Sequence, residues 1–132
     1  MLGDNLSLAG VRVLVIDDRA DDRDLWTIVL EGSGAEVVVA ESIADGLEVF
    51  ERTDPSILLC DITLPDGDGY ALIRTLRARG DRISAVAVTG HALRRDVEAA
   101  FAAGFDAHLA KPVEPERLLA VVASLVTSKP AG

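Results

Sequence analysis

The sequence is poor in cysteine, in aromatic residues and in positive charge. Cys60 is the one cysteine in 132 residues, so no disulfide can close within the chain and no metal cluster can be built from thiolates. Its apolar neighbours mark Cys60 as a core residue rather than a redox centre or a nucleophile. Aromatics make up 4% of the chain, and neither Trp26 nor Tyr70 stands in a cofactor motif, so both read as packing at helix surfaces. Lysine and arginine number 13 against 22 acidic residues, and the net charge of -9 disfavours direct binding to nucleic-acid phosphates. Arg74, Arg77, Arg79 and Arg82, and the pair Arg94–Arg95, read as solvated helix faces. No apolar run approaches the roughly 20 residues that span a bilayer, which excludes membrane insertion as a reading. Met1 to Gly10 lacks a basic stretch followed by a long apolar core and a cleavage site, so export is not indicated and the expected location is cytoplasmic.

What the chain does contain suits a single α/β domain. With 132 residues and 49% hydrophobic content it can bury a two-sided core, and it shows no internal repeat or interdomain linker. The expected division is a flexible lead-in over 1–10, one domain over 11–126 and a flexible tail over 127–132. Five apolar segments read as strands: Val11 to Ile16, Ala35 to Val39, Ile57 to Cys60, Ala85 to Thr89 and Ala107 to Leu109. Each is followed by a helical pattern. The first helix is predicted over Ala20 to Glu31 with Leu25, Ile28 and Val29 inward, and Asp21, Asp22 and Asp24 near its start read as partners of the helix dipole. The second starts at a Ser42 cap with Ile43, Leu47 and Phe50 inward, and Asp54–Pro55 closes it. The third begins near Asp68 and buries Leu72, Ile73 and Leu76. The fourth uses Leu93, Val97, Ala100 and Phe101 and ends at Gly104, and the last follows Pro115 with Leu118, Leu119, Val122 and Leu125 inward. Alternating strands and helices imply a parallel sheet covered on both faces, with ligands received at the strands' carboxyl ends.

Those ends carry the chemistry. The first strand runs into Asp17–Asp18, the third into Asp61, the fourth ends at Thr89–Gly90, and the fifth leads to Lys111–Pro112. Three carboxylates, a hydroxyl and an ammonium therefore converge on one edge from four strand ends. Carboxylate oxygens in such number suit a small hard cation such as Mg²⁺. Without a cation they repel one another: two charges about 4 Å apart at an effective dielectric of about 20 cost roughly 4 kcal/mol. Both Asp17→Asn and Asp18→Asn are therefore expected to stabilise the metal-free fold while weakening Mg²⁺ binding.

The Asp17–Asp18 pair, Asp61, Leu64–Pro65 with Asp68–Gly69, Thr89–Gly90 and Lys111–Pro112 together resemble the receiver domain of two-component response regulators over nearly the whole chain. The resemblance implies a flavodoxin-like fold, (βα)5, with a five-stranded parallel sheet of order 2-1-3-4-5. It implies that Asp61 accepts a phosphoryl group from a phosphohistidine on a sensor histidine kinase or phosphotransfer protein. It further implies that Asp18 and Asp61 bind Mg²⁺ directly, that Asp17 acts mostly through coordinated water, and that the backbone carbonyl of Thr63 completes the protein ligands. Lys111 then neutralises a phosphoryl oxygen, Thr89 bonds to the phosphoryl group and switches inward, and the backbone amides of Thr63 and Gly90 assist.

Three positions depart from the pattern. His108 stands three residues before Lys111, where the family commonly has an aromatic switch; it reads either as a shorter rotameric switch with pH sensitivity or as a filler of a half-buried strand position. Arg19 follows the aspartate pair in place of an acidic or amide residue and reduces the negative potential there, which either weakens cation affinity or guides an anionic donor. His91, two residues after Thr89, reads as an ordinary exposed helix-start histidine, with a rim position over the site as the other reading.

Two other functions compete. An aspartate-nucleophile phosphohydrolase of the haloacid-dehalogenase type uses a second aspartate two residues after the first, where this chain has Thr63. A phosphate-independent pseudo-receiver that only binds protein is disfavoured by the presence of all five charged or hydroxyl groups. The output partner is not legible: a stand-alone regulator, a relay receiver and a piece of a hybrid sensor kinase all fit. The segment Gly104 to Val113 especially resembles hybrid-kinase receivers. The resemblance places donor recognition on the first helix, and output or weak homodimer formation, as against a monomer, on the fourth helix, fifth strand and fifth helix.

Overall fold

A computed structural model describes residues 7–90 and 93–128. The elements in chain order are β1 (Arg12–Ile16), α1 (Ala20–Glu31), β2 (Glu36–Ala40), α2 (Ile43–Thr53), β3 (Ile57–Asp61), β4 (Thr63–Leu64), β5 (Gly67–Asp68), α3 (Gly69–Ala78), β6 (Ser84–Thr89), α4 (Arg94–Ala103), β7 (Ala107–Ala110) and α5 (Pro115–Ser128). Five strands form one sheet in the order β2-β1-β3-β6-β7, every neighbouring pair parallel. This is the expected 2-1-3-4-5 order; the two-residue antiparallel ladder β4–β5, between β3 and α3, takes the intervening numbers. No helix among the described residues is long and apolar enough to cross a membrane.

Every residue of β3 and β6 is buried, as expected for central strands covered on both faces. Alternation along the strands divides the core in two. Leu14, Ile16, Leu58, Cys60, Ala85 and Ala87 face Val49 of α2, Leu72, Ile73 and Leu76 of α3 and Ala100 of α4. Val13, Val15, Ile57, Leu59, Val86 and Val88 face Trp26 and Leu30 of α1 and Leu118 and Val122 of α5. The register sets Ile16 beside Cys60, Asp61 beside Val88 and Thr89 beside Ala110, so the carboxyl ends of β1, β3, β6 and β7 line one edge.

The helix starts follow their chemistry. Ser42 Oγ accepts from the Asp45 N–H at 3.1 Å, and Asp68 Oδ1 accepts from the Ala71 N–H at 2.9 Å. Asp66, in the turn between β4 and β5, reaches across to accept from the Ile43 and Ala44 N–H groups at 2.9 and 3.0 Å, and these bonds hold its carboxyl below the usual range. The ladder is thereby tied to the start of α2. Gly104 closes α4 at φ +125°, a backbone region that side chains rarely adopt.

Several expectations about helix faces are corrected. On α1, Leu25 and Ile28 are 45% and 69% exposed, while Trp26 and Leu30 are buried and Val29 is half-buried. Two helical stripes overlap in this sequence, and the one carrying the indole turns inward because it removes more apolar area from water. Trp26 is thus a core residue, not a surface one. On α4 the small Ala100 and Ala103 meet the core, leaving Leu93 and Phe101 57% and 47% exposed. On α2, Ile43, Leu47 and Phe50 pack from the rim around buried Gly46 and Val49. The arginines near the end of α3 are engaged rather than simply solvated: Arg77 donates to the carbonyls of Gly104 and Asp81 and pairs with Asp106, and Arg79 pairs with Glu51. The expected lead-in shortens, because Leu8 is fully buried and its N–H donates to the Ser33 carbonyl at 2.7 Å. The expected tail shortens too, since α5 continues to Ser128. Residues 1–6 and 129–132 lie outside the described residues.

Gly69 sits where the chain turns back behind Asp61. A Cβ there would lie 2.8 Å from the Asp61 carbonyl oxygen and 3.1 Å from Cys60 Sγ, both held by the central strand. Gly69→Ala is therefore expected to destabilise the fold by about 1–3 kcal/mol, as overpacking does, read as a lowered urea midpoint. An unchanged midpoint would show that the start of α3 can shift freely.

Candidate functional site

Four strand ends build the site. Asp17 follows β1 and is fully buried, and Asp18 beside it is exposed. Asp61 ends β3 at 6% exposure, Thr89 ends β6 at 5%, and Lys111 follows β7. Asp17, Asp18 and Asp61 each bring a carboxylate oxygen within 4.8 Å of the other two. Lys111 Nζ donates to Asp17 Oδ2 and Asp61 Oδ2, both at 2.9 Å, so the ammonium bridges the two buried carboxylates. The remaining oxygens are oriented by the backbone. Asp17 Oδ1 accepts from the Arg19 N–H at 2.8 Å, and Asp61 Oδ1 accepts from the Thr63 N–H at 3.0 Å. The Arg23 guanidinium donates to the Asp17 carbonyl at 2.8 Å and fixes the first turn of α1 against the strand end.

The model of the response regulator receiver domain family matches residues 13–123, a span that contains each of these side chains. The chain belongs to this family. A 14.6 kDa uncharacterized protein from the sodA1 3′ region of Leptolyngbya boryana is 39% identical over 118 residues, covering 88% of this chain and 90% of that protein. The sensor histidine kinase RcsC of Salmonella typhi is 33% identical over 117 residues; the match covers 86% of this chain but 12% of the kinase, so this chain spans a small part of that protein's length. Among solved structures, the CheY-like response regulator receiver domain protein of Methanospirillum hungatei superposes with a TM-score of 0.81 at 31% identity, covering 89% of this chain and 94% of that one.

The electrostatics of the receiver's site set its members apart. Burial pushes the Asp17 carboxyl up, and the charge of Asp61 adds to this; the Arg19 N–H and Lys111 pull the other way without cancelling it. Burial alone would push Lys111 down, but its bonds to Asp22, Asp61 and Asp17 outweigh that and hold the ammonium above its usual range. Lys111 is therefore firmly cationic, and Asp17 is the member whose charge is unfavourable. Burial also pushes the Cys60 thiol up, with Asp61 and Asp17 adding to the effect, so it remains an unreactive core residue.

The oxygen-only donor set fits a hard divalent cation. Two of its oxygens are held by Lys111, so much of the charge repulsion expected from sequence is already compensated. A cleft of about 360 Å³ opens beside the lysine, lined by Arg19, Asp22, Leu25, Trp26, Lys111, Pro112 and Val113. A second cleft, of about 540 Å³ around Phe101 and Gly104, holds none of the site residues.

The outlying expectations resolve unevenly. Gly90 is exposed directly after Thr89, and the Thr63 N–H already faces Asp61. His108 lies on β7 beside Ala87, half-buried, with its Nε2 enclosed and without a hydrogen-bond partner among the described residues. Burial pushes its imidazole down, partly opposed by Asp96, which favours the neutral ring. His91 lies outside the described residues. Sequence reasoning missed two members of the site. Asp22 Oδ2 accepts from Lys111 Nζ at 2.9 Å, and the Trp26 ring centroid lies 5.4 Å from the same atom. The available signal was their spacing of four on α1, which places both on whichever face Trp26 takes inward.

Proposed function

We propose that this receiver accepts a phosphoryl group on Asp61 from a phosphohistidine of a sensor histidine kinase or phosphotransfer protein, and changes conformation to signal to an output partner. The observation that carries the reading is the bridging ammonium of Lys111 between Asp17 and Asp61, with the Thr63 N–H aligning the acceptor carboxylate. In the transfer, one Asp61 oxygen forms the bond to phosphorus as the histidine N–P bond breaks, and the imidazole leaves with the electron pair. Such reactions depend chiefly on alignment and charge stabilisation. Bound Mg²⁺ would neutralise phosphoryl oxygens, held by Asp18 and Asp61 directly, by Asp17 mostly through water and by the Thr63 carbonyl. Lys111 transfers its bond from Asp61 to a phosphoryl oxygen, and Thr89 and the Gly90 amide complete the cradle.

Thr89 moving inward couples the site to β7, where His108 is the switch residue. Its enclosed Nε2, unpartnered among the described residues, makes its resting place less favourable than a position in which the ring reaches water or a partner. The exposed Leu93 and Phe101 of α4 fit an output or weak homodimer face formed with β7 and α5, and the exposed Leu25 and Ile28 of α1 fit donor docking. The setting proposed for this exchange is the cytoplasm.

Intact-mass analysis after incubation with Mg²⁺ and acetyl phosphate tests the reading. A single phosphoryl adduct is expected on the wild type, and none on Asp61→Asn or in EDTA. An unmodified wild type, with a histidine-phosphorylated donor also failing, would favour the phosphate-independent binding module. Turnover of a small phosphate ester would favour the hydrolase.

A further inference from the structure

Lys111 has one more carboxylate than phosphoryl acceptance uses. Asp17, Asp61 and Asp22 all accept from its Nζ at 2.9 Å, and Asp22 comes from α1 rather than from a strand end. Four residues further along the helix, the buried Trp26 sets its ring centroid 5.4 Å from the same nitrogen. An ammonium has three protons, so three carboxylates saturate it while the ring face attracts its charge. Asp17 and Asp61 have other demands on them, since both belong to the trio of carboxylates that can close on one cation and Asp61 is the acceptor. Asp22 is outside that trio, and its only other charged neighbour among the described residues is Arg19, whose Nε lies 3.6 Å from Oδ2. When a cation or a phosphoryl group draws the first two away, Asp22 and the indole face are what remain to hold the lysine.

We propose that Asp22 and Trp26 form a seat on α1 that keeps Lys111 in place while Asp17 and Asp61 change partners, which makes Asp22 a positioning residue for phosphoryl acceptance. The proposal rests on the phosphoacceptor reading above. Its two parts separate cleanly: the seat is a property of the Mg²⁺-bound chain, and positioning is a property of the transfer. Without Asp22, Lys111 leans onto Asp17 and Asp61, competes with the cation there, and meets the incoming phosphoryl group from a wider range of positions.

Trp26 is the chain's one tryptophan, so its emission reports the lysine that sits on it. The experiment compares wild type, Asp22→Asn, Asp22→Glu, Asp21→Asn and Lys111→Met as full chains. Emission is recorded in saturating Mg²⁺, and the rate of adduct formation from acetyl phosphate is followed by intact mass. In that reaction the acetate P–O bond breaks as the Asp61 O–P bond forms, and acetate leaves with the electron pair. Asp22→Asn is expected to share the emission of Lys111→Met and to form the adduct about ten- to a hundredfold more slowly, the penalty of a mispositioned group. Asp22→Glu recovers much of the rate. Asp21→Asn changes neither reading, because Asp21 is exposed in the same helical turn and has no contact with the lysine among those described. Wild-type emission in Asp22→Asn overturns the seat. A shared emission with an unchanged rate overturns the positioning role. Equal slowing in Asp21→Asn overturns it as well, because the effect would then be the helix-end charge. A wild type that forms no adduct from acetyl phosphate or from a histidine-phosphorylated donor, with the emission pattern as expected, upholds the seat and removes the phosphoacceptor reading.

Discussion

Lys111→Met is expected to unfold at a markedly lower urea concentration than the wild type in EDTA, and to recover most of the difference when Mg²⁺ is added. The side chains of Asp17 and Asp61 are 0% and 8% exposed, and Lys111 is the cation bonded to both. Removing one partner of a buried ion pair leaves the other charge uncompensated, at about 3–5 kcal/mol. The low end applies, near about 3 kcal/mol, because water reaches Lys111 and Asp22 and screens part of the charge. Methionine keeps the length and apolar body of the side chain, so the loss is one of charge rather than of packing. A divalent cation can substitute for the ammonium, and binding at a hundred times the dissociation constant adds about 2.7 kcal/mol. Mg²⁺ should stabilise the variant more than the wild type, since no lysine then competes for the same oxygens. The same substitution removes the group assigned to a phosphoryl oxygen, so adduct formation should fall by about two to three orders of magnitude, the range seen when one oxyanion donor is lost. A urea midpoint in EDTA equal to that of the wild type would show that Lys111 is not the counter-ion of the resting site.

The fold was legible where burial is unambiguous. β1, β3 and β6 are short apolar runs because both faces of the sheet are covered, and such runs between turn residues have no competing reading at this length. The inward face of α3 was legible, since Leu72, Ile73 and Leu76 form its apolar stripe. α1 and α4 misled for one reason. Each carries more apolar residues than its buried face can use, and the choice between overlapping stripes is made by what the sheet presents, which local spacing does not contain. The site carboxylates and Lys111 were readable because strand ends in a parallel sheet share an edge. Asp22 was not, because an acidic first turn is already explained by the helix dipole, and its meeting with Lys111 joins residues 89 apart in sequence. The Thr63 amide on Asp61 was not legible: the resemblance assigned Thr63 to a phosphoryl group and to the metal, and a backbone donor leaves no mark in side-chain identity.

Asp17→Asn is the second large change expected, and it acts in the opposite sense on the fold. Burial raises the Asp17 pKa from its ordinary 3.8, against the Arg19 N–H and Lys111, so the native chain holds a proton there more readily than the unfolded chain does. Where the native state binds more protons, stability falls as pH rises. The contribution of Asp17 therefore declines from 3.8 up to its raised folded value and is least favourable above it. The neutral amide removes that burden. It keeps an oxygen for the Arg19 N–H, and Lys111 retains Asp22 and Asp61. In EDTA at neutral pH the variant should have a higher urea midpoint than the wild type, and the gap should close on acidification as the wild-type carboxyl takes up its proton. His108, whose pKa burial lowers, titrates in both proteins and cancels in the difference. Asp18→Asn should show a smaller gain, because Asp18 is exposed and water already screens it. Mg²⁺ affinity should fall roughly 10–100-fold in Asp17→Asn, as for loss of a group that orients a metal's shell, and isothermal titration would measure it. A neutral-pH midpoint below that of the wild type would mean that the Lys111 bond to Asp17 outweighs its burial. The site would then be held by its ion pair instead of strained by its charge.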